Sequence, residues 1–193
     1  MSNNKTRIEN MPIQISFELS DSDLDHFRSM MKAAMEKASE YPPAEVLKKA
    51  RAVCAEMEQA NLPDFVKHRM DSLETLISAL EDPEWQMPED EKNEILTSLA
   101  YFSEPEDLVP DNIPGLGYVD DAIMIELVIQ ELSQDLAAYI QFCKYRTTEE
   151  NRRGVEANVN RDSWLTSKRT ELRSQMRRGR NIGGNRRLFS RIM

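Results

Sequence analysis

The chain has 193 residues, a formal net charge of −9, six glycines and 7% aromatic residues. A β-sandwich or barrel needs glycine turns and aromatic strands, so this composition excludes those classes and favours a soluble, helix-rich protein. The charge is unevenly divided: residues 144–193 carry 14 basic and five acidic side chains, a balance of +9, which leaves −18 on the remainder.

The first half of the chain predicts four amphipathic helices. Residues 1–12 are polar and predict a disordered N-terminus, and residues 13–19 alternate as in a short strand or extended arm. Ser20 is expected to cap the first helix, and the breaks between the later helices carry prolines, of which Pro43 suits a first helical position. Apolar residues recur at spacings of three and four along each helix, which predicts an all-α fold, a compact bundle of about five to six helices.

The second half predicts the last two of these helices. A continuous apolar stripe predicts the longest helix over residues 120–145, whereas residues 147–160 are polar and predict either a fraying extension of that helix or a linker. Asp162-Ser163 is expected to cap a final helix, which is followed by a flexible, arginine-rich tail. We therefore predict a helical domain over residues 13–146 and a basic helical extension with a flexible tail over residues 147–193.

Several function classes are excluded by what the sequence lacks. It has no run of roughly 18 to 20 apolar residues that predicts a transmembrane helix, and its polar start is unlike a secretory signal, so a cytoplasmic location is expected. The common nucleotide-binding and hydrolase motifs are missing. Cys54 and Cys143 lie on apolar helical stripes and are predicted to be free thiols.

A proline- and glycine-rich segment, residues 101–121, separates the two groups of predicted helices. It contains the pattern Tyr101, Pro105, Asp107-Leu108, Pro110-Asp111, Ile113-Pro114, Gly115, Gly117 and Asp120-Asp121. This pattern resembles the signature of the YkvA-like family, a small bacterial helical domain of unknown function. The resemblance extends over roughly residues 95–132. It implies a helical fold and no established activity.

The same segment is crowded with carboxylates, because six lie between residues 104 and 121 without a basic residue among them. Crowded carboxylates raise each other's pKa unless a cation or hydrogen-bond donors intervene. One interpretation is a divalent-metal site, in which Mg²⁺ or Ca²⁺ is bound by Asp107, Asp111, Asp120 and Asp121. The other, which we favour, is that these aspartates cap backbone N–H groups. No nucleophile or general base stands beside them, so we predict no catalytic residue.

The C-terminal end is strongly basic: residues 169–193 contain eight arginines, no lysine and one acidic residue. Arginine favours bidentate contacts with phosphate. We predict that six of these residues bind a polyanion: Arg173, Arg177, Arg178, Arg180, Arg186 and Arg187. A nucleic acid or an acidic protein surface is then the expected partner. Three interpretations compete: a solvated tail, a tail docked on the acidic body, and peripheral contact with an anionic membrane.

The favoured hypothesis is a non-enzymatic cytoplasmic interaction protein, whose acidic helical body carries an arginine-rich tail that binds a polyanion or acidic partner. The alternative is a divalent-metal-dependent enzyme that acts on a phosphorylated substrate. In that case the four aspartates bind the metal and the tail arginines hold the phosphate.

Overall fold

The computed structural model describes residues 18–38, 41–59, 64–100 and 119–182. Within these ranges the protein is all-α, as predicted, and contains no strand. The seven α-helices of the described ranges are α1 (Asp21–Ala38), α2 (Pro43–Gln59), α3 (Asp64–Glu81), α4 (Glu89–Leu99), α5 (Val119–Glu131), α6 (Ser133–Arg153) and α7 (Arg161–Ile182). None of these helices combines the length and the apolar character needed to cross a membrane.

The starts of α1 and α2 follow from the predicted local chemistry. Ser20 precedes α1, and its backbone N–H and hydroxyl donate hydrogen bonds of 2.8 and 2.6 Å to the carboxylate of Asp23. This reciprocal arrangement resembles a capping box, with aspartate in the glutamate position. Pro43 is the first residue of α2, where its missing N–H costs no intrahelical hydrogen bond. Both helices therefore begin where the sequence predicts.

Helix α3 lies at the centre of the bundle, because it packs against α2, α5 and α6. Its apolar face is fully buried at Leu73, Leu76 and Ile77. Burying a side chain of this size contributes roughly 1.5–3 kcal/mol. The neighbouring helices supply further buried residues with the same periodicity, among them Met57 on α2 and Ile125 on α5. The core therefore depends on the apolar stripes that the sequence displays.

The prediction of a single helix over residues 120–145 is wrong, because the structure has two helices there, α5 and α6, with a break at Leu132. The backbone there has φ −99° and ψ 16°, outside helical values. The N–H of Leu132 still donates to the Val128 carbonyl, and its own carbonyl accepts from the N–H of Leu136, each at 2.9 Å. Because these hydrogen bonds bridge the break and Leu132 is fully buried, the apolar pattern continues without interruption.

Helix α6 continues through part of the predicted linker and ends at Arg153. Its last turns are stabilised by Glu149, which forms ion pairs with Arg152 at 2.6 Å and Arg153 at 2.9 Å, at the favourable i,i+3 and i,i+4 spacings. The chain then turns at Gly154, which has φ +57°, a value that favours glycine. A short 3₁₀ turn, Gly154–Glu156, leads towards α7. The predicted domain boundary at residue 146 thus falls inside α6.

Some predictions concern residues outside the described ranges. These are the N-terminus over residues 1–12, most of the strand or arm over residues 13–19, the greater part of the segment 101–121, and the tail beyond residue 182.

Candidate functional site

Trp85 is the centre of the contact between the connection that joins α3 to α4 (residues 82–88) and the last two helices. Its indole is 1% exposed. On the α6 side its ring centroid lies 5.8 Å from that of Tyr139 and 5.0 Å from that of Phe142. The short connection is therefore packed firmly against the middle of α6, where large aromatic side chains contribute much of the burial.

From the other side, α7 holds the same connection through two arginines. Arg169 is almost fully buried and donates a hydrogen bond of 2.6 Å to the Glu84 carbonyl. Arg173 donates hydrogen bonds of 2.9 and 2.6 Å to the carbonyls of Trp85 and Gln86, and its guanidinium lies 5.2 Å from the Trp85 ring centroid. Desolvation by burial acts to lower the pKa of Arg173, but arginine stays charged at neutral pH. These arginines therefore satisfy carbonyls that no helix or sheet pairs.

A cluster of charged side chains secures the start of the connection. Arg146 on α6 contacts the carboxylates of Asp82 at 2.7 Å and Glu84 at 3.0 Å. Arg161 on α7 also donates to Glu84, and the hydroxyl of Tyr139 donates to Asp82 at 3.0 Å. The hydrogen bond from Arg161, together with the charges of both arginines, lowers the pKa of Glu84 despite partial burial. The charged cluster thus links the connection to α6 and α7.

The far end of α7 differs, because Arg177 and Arg178 are exposed. Arg177 and Arg178 form neither an ion pair nor a hydrogen bond with any residue that the structure describes. The backbone of Arg180 lies in α7, but its side chain is not part of the described structure. Arg186 and Arg187 lie entirely outside the described ranges. The structure therefore places three of the six predicted polyanion-binding side chains on α7. Of these, Arg173 contacts the protein itself.

The predicted metal site is only partly within the described ranges. Asp120 and Asp121 lie in the first turn of α5, where a carboxylate interacts favourably with the positive end of the helix dipole. Asp120 is buried, whereas Asp107 and Asp111 fall outside the description. Among the described residues, no three histidine, cysteine, aspartate or glutamate side chains are grouped so as to hold a metal ion. The Mg²⁺ or Ca²⁺ site remains a prediction.

A cavity of about 440 Å³ opens beside α2 and α3, near the end of the first and the start of the second. Its apolar lining comes from Met57 and Met70, which are both buried, and its rim carries Glu58 and Glu74. Partial burial, a hydrogen bond with Glu58 and the negative charge of Glu58 and Asp71 all raise the pKa of Glu74. The cavity thus combines an apolar floor with a negative rim.

Trp85, Arg146 and Arg169 are not among the site residues predicted from the sequence. A signal for the first was present, since Trp85 is a large aromatic residue in a short connection bounded by prolines, where a solvated loop would carry small polar residues. Arg169 stands among eight arginines of the basic end, and composition alone does not distinguish it from the exposed ones. Their roles depend on which carbonyls the fold leaves unpaired.

Comparison with known families gives one match. Residues 92–127, from α4 through most of α5, match a family described as a protein of unknown function (DUF1232). This match supports the prediction of a bacterial helical domain of unknown function in that part of the chain. No curated protein and no solved structure is significantly similar to the chain.

Proposed function

We propose that the protein is a non-enzymatic cytoplasmic interaction protein, which binds a polyanion through the C-terminal end of α7 and the arginine-rich residues that follow. We also propose that residues 92–127 are a domain of the YkvA-like family. On this proposal the helical body supports the binding segment, and the binding itself depends on arginine side chains.

The observation that carries the proposal is the pair of exposed arginines on a firmly anchored helix. Arg177 lies one turn beyond Arg173 and two turns beyond Arg169, the two arginines that hold α7 against the rest of the protein. Neither Arg177 nor the adjacent Arg178 has an ion-pair partner in the described part of the chain. An anchored helix holds its charged side chains in a limited set of positions, so less conformational entropy is lost when they meet a ligand. Exposed guanidinium groups suit phosphate, which they contact through two parallel hydrogen bonds.

The salt dependence of nucleic-acid binding tests this proposal. Two of the eight arginines from residue 169 onward contact backbone carbonyls, which leaves six for phosphate. For six contacts with duplex DNA, the affinity should fall with salt at a log–log slope of about −5. The affinity can be followed by the fluorescence anisotropy of a labelled duplex, and a slope near zero would overturn the nucleic-acid proposal.

Two double variants locate the contacts. Arg177→Gln with Arg178→Gln should make the slope shallower by about 2, because two phosphate contacts are lost. Lys48→Gln with Lys144→Gln removes the same charge from exposed residues of α2 and α6 and serves as the control. The control should leave the slope unchanged. Equal changes in the two variants would mean that the DNA responds only to net charge.

A further inference from the structure

We infer that the cavity between α2 and α3 is a docking site for this protein's own C-terminal segment, residues 183–193. The segment would bind with its apolar side chains in the cavity and its arginines at the negative rim. Arg186 and Arg187 also belong to the proposed polyanion-binding segment, so docking and polyanion binding would compete for them. Docking is therefore tested below in the absence of any polyanion.

The cavity has the shape and lining of a binding site for apolar side chains. Its volume of about 440 Å³ lies within the range of protein ligand pockets, roughly 300–1,000 Å³. Met57 and Met70 form an apolar floor that is buried between the helices. Methionine side chains adapt readily to the shape of a partner, because they are unbranched and polarizable. An apolar group of moderate size therefore finds both room and contacts there.

The rim of the cavity has more negative than positive charge. The cavity is lined by four carboxylates, Glu58, Asp64, Asp71 and Glu74, together with Lys67 and His68, and Lys67 forms an ion pair of 3.6 Å with Asp64. The negative charge of Glu58 acts on Glu74, and the nearby Arg51 is engaged in an ion pair with Glu81. A guanidinium entering at this point would offset the excess charge and supply donors to both carboxylates.

The C-terminal segment has the complementary composition. Residues 186–193 read Arg-Arg-Leu-Phe-Ser-Arg-Ile-Met, in which two apolar pairs alternate with arginines. Leu188 and Phe189 suit the apolar floor, while Arg186 and Arg187 precede them at a spacing that allows contact with the rim. The charges agree as well, since the chain before residue 144 has a balance of −18. Apolar and charged groups thus match in the same short segment.

The length of the segment also favours the inference. Residues 183–193 follow the end of α7 at Ile182 and span at most about 40 Å when extended. A compact chain of 193 residues has a radius of gyration of about 16 Å. The segment can therefore cross a large part of the molecule. A tethered segment of this length has an effective concentration in the millimolar range, so even weak docking would be populated.

The test uses a labelled synthetic peptide of residues 183–193 and the full-length protein, with binding followed by fluorescence anisotropy. In the Leu188→Ser, Phe189→Ser variant the protein's own segment is disabled, and the peptide should bind saturably. The wild-type protein should bind the peptide at least tenfold more weakly, because its own segment occupies the cavity. No saturable binding to the variant, or equal binding to both proteins, would overturn the inference.

The position of the site is tested by matched charge changes on that same variant. Glu58→Gln with Glu74→Gln should weaken the peptide about tenfold, whereas Glu45→Gln with Glu56→Gln, exposed residues of α2 outside the cavity, should not. A peptide with serine at positions 188 and 189 should lose binding to the unaltered cavity, a result that does not depend on the folding of any rim variant. Equal weakening by the two glutamate pairs would show diffuse attraction to the acidic body and would contradict docking in the cavity.

Discussion

The two ends of α7 use the same residue type in opposite ways. In the first half, Arg161, Arg169 and Arg173 all contact the connection between α3 and α4, either its carboxylates or its carbonyls. In the second half, Arg177 and Arg178 contact no described partner and are exposed. The comparison shows that the basic end is two regions in structural terms. One region belongs to the fold, and the other is available to a ligand.

The largest expected difference between these regions is in stability. Arg169→Ala should lower the free energy of unfolding by about 2 kcal/mol, because it removes a buried guanidinium and leaves the Glu84 carbonyl without its charged donor. Arg177→Ala should change it by less than about 0.5 kcal/mol, as is usual for an exposed residue without contacts. Urea unfolding of both variants measures the difference. Similar losses would mean that the two regions are not distinct.

A smaller difference between the two regions is expected in how the free energy of unfolding depends on pH. The folded state holds the pKa of Glu84 below its ordinary value of 4.5, so the group stabilises the protein above that pH, and the contribution is lost as the pH falls through the lower folded value. Arg161→Gln should cost about 1 kcal/mol at pH 7, and the cost should shrink towards pH 3. The measurement is urea unfolding at both pH values. Arg177→Gln is the control from the exposed end, and we expect no pH-dependent cost from it.

The smallest effect concerns the helical character of the exposed end. Gly179 lies in α7, and a Cβ there would lie 3.3 Å from the side-chain amide of Gln134, which is exposed and able to shift. Alanine favours a helix by up to about 1 kcal/mol over glycine. Gly179→Ala should therefore raise the unfolding free energy by about 0.5 kcal/mol without altering the salt slope. A fall in thermal stability would mean that the end of α7 packs tightly against α6.

Much of the fold could be predicted because it depends on local chemistry. Helix starts at Ser20 and Pro43 follow from capping and from the fixed φ of proline, and the buried faces follow from spacings of three and four. The break at Leu132 could not be predicted, since the apolar stripe continues across it. The length of α6 beyond residue 146 had a signal in Glu149 and Arg153, which stand four residues apart.

The candidate site was less predictable, because it depends on contacts between residues far apart in the sequence. Arg173 and Arg177 lie in the same arginine-rich stretch of sequence, yet only Arg173 donates hydrogen bonds to the carbonyls of Trp85 and Gln86. Trp85 and Gln86 lie 88 and 87 positions before Arg173 in the chain. No local pattern in the sequence indicates that their carbonyls are available to a side chain so far away. The prediction of a basic surface therefore identified the right segment of the chain without separating its structural arginines from its exposed ones.

The three neighbouring carbonyls of Glu84, Trp85 and Gln86 are contacted by the last helix that the structure describes. A ribosome makes a chain from its N-terminus, so Trp85 emerges long before Arg169 and Arg173 do. Until α7 is synthesised, the indole has its α6 neighbours on one side and no guanidinium over its ring on the other. Nascent chains should therefore keep this tryptophan accessible to water until α7 has been synthesised and completes its enclosure.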